Sequence, residues 1–116
     1  MEAKEMNEVA KEYRRLLELR KAYHPAADID WDNDPVILGM VRALSADVNA
    51  TVAFLEECTA DEFGWLSEVF AEVAEATRSQ KLVDALYETA KRFPEECERL
   101  SIVDFIDEAQ DIVRRG

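Results

Sequence analysis

Three glycines and three prolines are all the punctuation in this chain of 116 residues. Sandwiches and barrels of many short strands need a turn residue at every reversal, so a chain this poor in them is restricted to long elements, and those are helices. The prolines stand where helices should begin or end. His24-Pro25 stops a first helix, because the residue before a proline is pushed out of the helical region. Asp34-Pro35 opens a second, with aspartate as N-cap and proline at the first helical position. Pro94 halts a later one.

Apolar spacing fills the intervals. Met6, Val9, Tyr13, Leu16 and Leu17 recur at three-four spacing and predict a helix over 3–23. Ile37, Val41, Leu44, Val48, Val52 and Leu55 form one stripe, which predicts a single helix from Pro35 to Cys58. Gly39, Ala43, Ala46, Ala50 and Ala53 form a second stripe of small residues on that helix; it would let a neighbour approach closely and make this helix the central one. Thr59 and Glu62 have the form of a capping box and start a helix that ends near Thr77. Ser79 caps a fourth that reaches Phe93, and a short turn follows from Pro94 through Leu100. Ser101 with Asp104 resembles another cap, and Ile102, Phe105, Ile106, Ala109, Ile112 and Val113 are the expected buried face of the last helix. The expectation is an all-α fold, a compact bundle of about five helices forming one domain over 1–116.

Several classes drop out. The longest apolar run, Val36 to Val41, is six residues, far short of the roughly 20 that a membrane span requires. Residues 1–15 are charged throughout and lack the apolar stretch of a secretory signal, so a cytoplasmic location is expected. Cys58 and Cys97 belong to no C-x-x-C pair and read as reduced thiols, although spacing leaves a Cys58–Cys97 disulfide open. Asp28, Asp30 and Asp32 echo the first ligands of a calcium loop, but Asn33 stands where the sharp turn wants glycine and Gly39 where the bidentate glutamate belongs. His24 is the only histidine, and no Gly-x-Ser-x-Gly elbow presents a serine to it; it reads as a helix-end residue near the carbonyl pole. Glu56-Glu57 and Glu95-Glu96 read as solvated helix ends. Neither a catalytic group, a metal nor a cofactor is expected.

The formal charge of −12 is unevenly placed: residues 28–75 hold twelve acids against one base, Arg42. Such a field repels nucleic acid and anionic membranes and attracts basic surfaces, unless the acids serve solubility alone. The bases Lys11, Arg14, Arg15, Arg20 and Lys21 share a helix with Glu5, Glu8, Glu12 and Glu18 and are expected to pair one turn apart instead of gripping phosphates. In the helix after Thr59, Phe63, Leu66, Phe70, Val73 and Thr77 share one side, and Asp61, Glu68, Glu72 and Glu75 share the other. Trp65 falls among those acids. A tryptophan ringed by carboxylates has the composition of an interface centre for a basic partner; the competing reading tucks Trp65 under the Asp28–Asp34 loop or the first helix. Trp31, between Asp30 and Asp32, poses the same choice.

With the acidic middle and the segment Asp61-Glu62-Phe63-Gly64-Trp65-Leu66-Ser67-Glu68-Val69-Phe70 in view, the chain resembles the small acidic helical immunity proteins encoded beside bacterial polymorphic or contact-dependent toxins. The likeness rests mainly on residues 51–109. It implies a cytoplasmic protein, itself no enzyme, that binds a cognate toxin, often a basic nuclease, and covers its active site or substrate groove. Immunity families differ in fold, so the expected contacts follow from the placement of charge and aromatics: Asp28, Asp30, Trp31, Asp32, Asp34, Asp61, Trp65, Glu68 and Glu72. One alternative is a homo-oligomeric scaffold that buries Trp65 and Val69 against a copy of itself; another is a small enzyme or metal protein built on the clustered carboxylates.

Overall fold

The computed structural model describes residues 7–23 and 29–115, and every described element is helical. Asn7 begins the first, α1 (Glu8–Lys21), by accepting hydrogen bonds from the amides of Val9 and Ala10. Its own side-chain amide donates to Ala50 O at 2.8 Å, which ties this helix start to a distant one. The face that α1 buries holds Val9, Tyr13, Leu16 and Leu17, as the spacing predicts, with Ala10 added. The expected residues 3–6 and His24 lie outside the described residues.

The expected helix from Pro35 to Cys58 is two helices, α2 (Pro35–Ala46) and α3 (Val48–Glu57), which meet at 103°. Asp34 caps α2 through the amides of Val36 and Ile37. The break falls at Asp47, which has extended backbone (φ −148°, ψ 97°) and caps α3 by accepting from Ala50 N at 3.1 Å. Thr51 then donates its hydroxyl to Leu44 O at 2.8 Å, so the carbonyl freed by the break is satisfied inside the core. A straight helix over this span would run about 36 Å and carry its second half off the core; the bend turns Phe54 and Leu55 back into it, both almost fully buried. The stripe of small residues is divided with it. Gly39 faces Leu16 of α1 and Ala50 packs against the core, whereas Ala46 and Ala53 are exposed.

The capping box at Thr59 and Glu62 forms as expected, and α4 (Ala60–Leu66) starts from it. A 3₁₀ turn, Ser67–Val69, interrupts the run before α5 (Phe70–Thr77). Ser67 donates to Gly64 O at 2.6 Å there, the kind of side-chain bond to the preceding turn that bends helices. Counted as one bent helix, 60–77 brings the total to seven among the described residues, against the five expected. The other addition is α7 (Pro94–Leu100), expected as a turn, which follows α6 (Gln80–Ala90) and precedes α8 (Ile102–Arg115).

α8 packs on α5 and α6, α1 on α2 and α3, and α7 lies across α4. One apolar cluster runs through all of them, with Tyr13, Phe54, Phe63, Ile102 and Ile106 at its centre. Arg92, just past α6, reaches the end of α3 and donates to Leu55 O (2.7 Å) and Cys58 O (2.9 Å), filling two of the carbonyls that a helix end leaves open.

Ser101 is not the side-chain cap its sequence suggests. It holds a left-handed conformation (φ 56°) and closes α7 by donating its amide to Cys97 O. This is the position where glycine is favoured, because a Cβ is strained there. Ser101→Gly is expected to stabilise the fold by about 1 kcal/mol, read from the midpoint of urea unfolding; an unchanged or lower midpoint contradicts it.

Candidate functional site

Much of the acidic side of the 60–77 helix is already paired: side chains of α1 reach across to it and supply bases to three of its carboxylates. Arg14 grips Glu62 with two bonds (2.7 and 3.2 Å), Arg20 grips Glu68 with two (3.1 and 2.7 Å), and Lys21 meets Asp61 at 3.0 Å. This corrects the expectation that the bases of α1 pair within their own helix; among the described residues only Arg15 and Glu12 do so. The reason is electrostatic economy at the seam: the middle of the chain has one base of its own, Arg42, so its partly buried carboxylates are matched from the only cation-rich segment that packs against them.

The other expected contact residues divide. Asp28 lies outside the described residues. Asp34 is spent on capping α2 and on accepting the Tyr23 hydroxyl at 2.8 Å. Trp31 is half-buried and donates its indole N–H to Glu72 Oε2 at 2.8 Å, which pins the 29–34 loop to α5. Glu72 Oε1 is buried and has no hydrogen-bond partner among the described residues. Asp30 and Asp32 remain exposed, Asp30 accepting from Asn33. Of the expected set, then, Asp61, Glu68, Glu72, Asp34 and Trp31 already serve the fold, Asp30 bonds only within its own loop, and Asp32 has no partner among the described residues.

These seams set a pH response. Burial pushes the Glu62 carboxyl up, but the Arg14 guanidinium and the Thr59 amide outweigh it and hold it below its ordinary value. Burial likewise raises Asp34, and the Tyr23 hydroxyl with the Ile37 and Val36 amides brings it net down. Carboxyls depressed in the folded state contribute stability that is whole above their unfolded values near 4 and is lost as pH falls through the folded ones. Urea midpoints are expected to be level above about pH 5 and to drop below about pH 4, with a smaller drop in Glu62→Gln than in the parent; parallel profiles for the two would refute the assignment.

Trp65 is neither sealed inside nor free. Its ring is half-buried, with the Arg20 guanidinium over it at 5.1 Å from the centroid. Its remaining edge lines a cleft of about 360 Å³ between α4, α7 and α8. Leu100 and Phe105 join it there, and Asp61, Glu68, Glu96 and Arg99 form the rim. Gly64 leaves room for this arrangement: a Cβ on it would lie 2.7 Å from Glu96 Oε2 and 2.9 Å from Leu100 Cδ1, so a larger residue would displace the ends of both side chains from the cleft.

Three of these residues lie outside the expected contact set. Phe105 was expected in the buried face of the last helix, yet it is 42% exposed. The buried face is Ile102, Ile106, Ala109, Gln110 and Ile112, and Phe105, about 100° from Ile106, sits at its margin. Glu96 was expected as a solvated helix end, but its side chain is only 16% exposed and pairs with Arg99 at 2.7 Å. Leu100 carries no signal in the sequence, since its role comes from α7 lying across α4. Asp104 and Glu108 flank Phe105 on α8, both exposed and without a partner among the described residues.

Elsewhere the chemistry is quiet. Cys58 and Cys97 are buried free thiols, and burial pushes the Cys58 thiol up to about 11, away from the thiolate a nucleophile needs. No group of three or more His, Cys, Asp or Glu side chains among the described residues is placed to hold a metal ion. A wider depression between α3 and α6 interleaves Glu56, Asp84 and Glu88 with Lys91 and Arg92, so it favours neither sign of charge. No single helix among the described residues is long and apolar enough to cross a membrane. Comparison with protein families, curated proteins and solved structures found no match to this chain. What fold and site define together, among the described residues, is a small all-helical protein with an aromatic cleft in a mostly acidic rim.

Proposed function

We propose that this chain is a non-catalytic inhibitor of the immunity type, a cytoplasmic protein that binds the cationic surface of a cognate toxin domain and covers it. The observation that carries the reading is the cleft, which brings Trp65, Leu100 and Phe105 together within a rim of carboxylates. An exposed aromatic site slows release of a partner, and net negative charge speeds encounter with a basic one. The exposed acids Asp30 and Asp32 on the loop, and Asp104 and Glu108 on α8, none of them matched by a cation among the described residues, supply the steering charge, because those at the α1 seam are already matched.

The same features speak against catalysis. Acid-base work wants one carboxyl held protonated beside another held ionised, whereas each lining carboxylate here sits against a guanidinium or ammonium. A scaffold that pairs with its own copy would bring two chains of charge −12 together, which low salt opposes.

The test begins at the reading frame beside the gene, where a basic, growth-arresting domain is expected. Co-expression of this chain should relieve the arrest, and the purified pair should dissociate as salt rises. Phe105→Ala, at the surface of α8, should weaken the complex by about tenfold with its melting temperature kept. A neighbouring product that arrests growth regardless of this chain, or a complex indifferent to salt, rejects the proposal. Sedimentation of the isolated chain as a stable dimer would favour the scaffold instead.

A further inference from the structure

We infer that the cleft between α4, α7 and α8 is an arginine socket, built to receive one guanidinium side chain from the partner. The inference rests on the reading of a basic protein partner and deepens it by naming the side chain that enters.

The floor suits the stem of such a residue. Trp65, Leu100 and Phe105 present apolar surface along a cleft of about 360 Å³, and the methylene stem of an arginine buries on such surface while its head stays with polar groups. The walls suit the head. Asp61 on α4 and Glu96 on α7 both line the cleft, and each uses one oxygen internally: Asp61 Oδ2 takes Lys21 Nζ at 3.0 Å, and Glu96 Oε2 takes Arg99 Nη2 at 2.7 Å. Asp61 Oδ1 and Glu96 Oε1 accept no hydrogen bond from the described residues. Glu68 differs, because Arg20 holds both of its oxygens.

The chain already uses this chemistry twice at the same place. Arg20 lies over the Trp65 ring, and Arg99 binds Glu96 at the rim. A planar, weakly hydrated guanidinium stacks on aromatic rings and pairs with carboxylates through several donors, where a compact, strongly hydrated ammonium does less of both. Phosphates and acidic peptides meet three carboxylates against one lining base, so anions are repelled.

The experiment is a titration of the ¹⁵N-labelled full chain, followed by amide and indole chemical shifts, with acetyl-Leu-Arg-Leu-amide and with its citrulline counterpart, which has the same shape without the charge. Shifts are expected at Gly64, Trp65, Leu100 and Phe105, with the arginine peptide bound about tenfold more tightly than the citrulline one. Asp61→Asn with Glu96→Gln should bring the two affinities together. Arg99→Ala, which removes the internal competitor for Glu96, should tighten the arginine peptide alone. Equal affinity of the two peptides in the parent chain, no binding by either, or shifts centred on Asp30 and Asp32, would overturn the socket. A basic protein partner that still binds the doubly neutralised chain undiminished would overturn the socket and leave the basic-partner reading standing; arginine-selective binding without any basic protein partner would do the reverse.

Discussion

Glu68→Lys is expected to lower the stability of the fold by about 3 kcal/mol, although by sequence this residue looks like an exposed acid on a polar helix face. In the structure both of its oxygens are held by Arg20, and the two side chains are only 30% and 16% exposed. Reversing the charge leaves Arg20 without its partner and sets a second cation against it. Removing one member of a buried pair costs about 3–5 kcal/mol, and partial exposure here places the loss at the lower end of that range. Arg20 also lies over Trp65, so its displacement loosens a wall of the cleft. Urea unfolding of Glu68→Lys, Arg20→Glu and the double exchange measures this, and the double exchange should recover a large part of the loss. A Glu68→Lys chain as stable as the parent would show that the pair contributes nothing. The consequence for function is direct: weak partner binding by Glu68→Lys would report damage to the α1 seam, and charge reversal at Asp104 or Glu108 is the cleaner probe because neither has an internal partner among the described residues.

Phe63→Ala is expected to cost about 4 kcal/mol, the largest effect of any substitution near the cleft. Phe63 is fully buried, with ring centroids 5.5 Å from Phe70 and 6.0 Å from Phe93, and so joins α4, α5 and the start of α7 in one aromatic contact. Truncation loses the transfer of the ring from water and leaves a cavity that three helix ends bound, none of which can move without opening its other contacts. Phe63→Leu keeps most of the volume and should cost about half as much. Phe63 shares α4 with Gly64 and Trp65, so a shift of that helix into the cavity should alter the cleft as stability falls. Thermal unfolding with fluorescence of the two tryptophans follows both changes. A loss below about 2 kcal/mol for Phe63→Ala would mean that the site collapses to fill itself, and that the aromatic triad is a looser joint than its geometry indicates.

The helices were legible because their signals are local. Asp34 before Pro35, Thr59 with Glu62 and Ser79 each bond to amides within three residues, and all three caps form. The amphipathic face of α1 likewise follows from spacing alone. Local signals misled where two of them competed. At Asp47 an apolar stripe continuous from Ile37 to Leu55 argued for one helix, while an aspartate able to cap argued for two. Burial of Phe54, Leu55 and Thr51 in a shared core decided for two, and nothing within the stripe encodes that preference.

The same division holds for the site. Composition and spacing alone determined an acidic, helical chain with Trp65 set among carboxylates on one helix, because charge, period and capping depend on residues close together in the chain. Only the tertiary structure decided which of those carboxylates are spent: α1 arrives from 48 residues away in the chain to take Glu62 and Glu68, and α7 and α8 bring Glu96, Leu100 and Phe105 to Trp65. The physical reason is that pairing and burial are settled by which surfaces meet in the folded packing, and a partly buried carboxylate takes whichever cation that packing sets beside it.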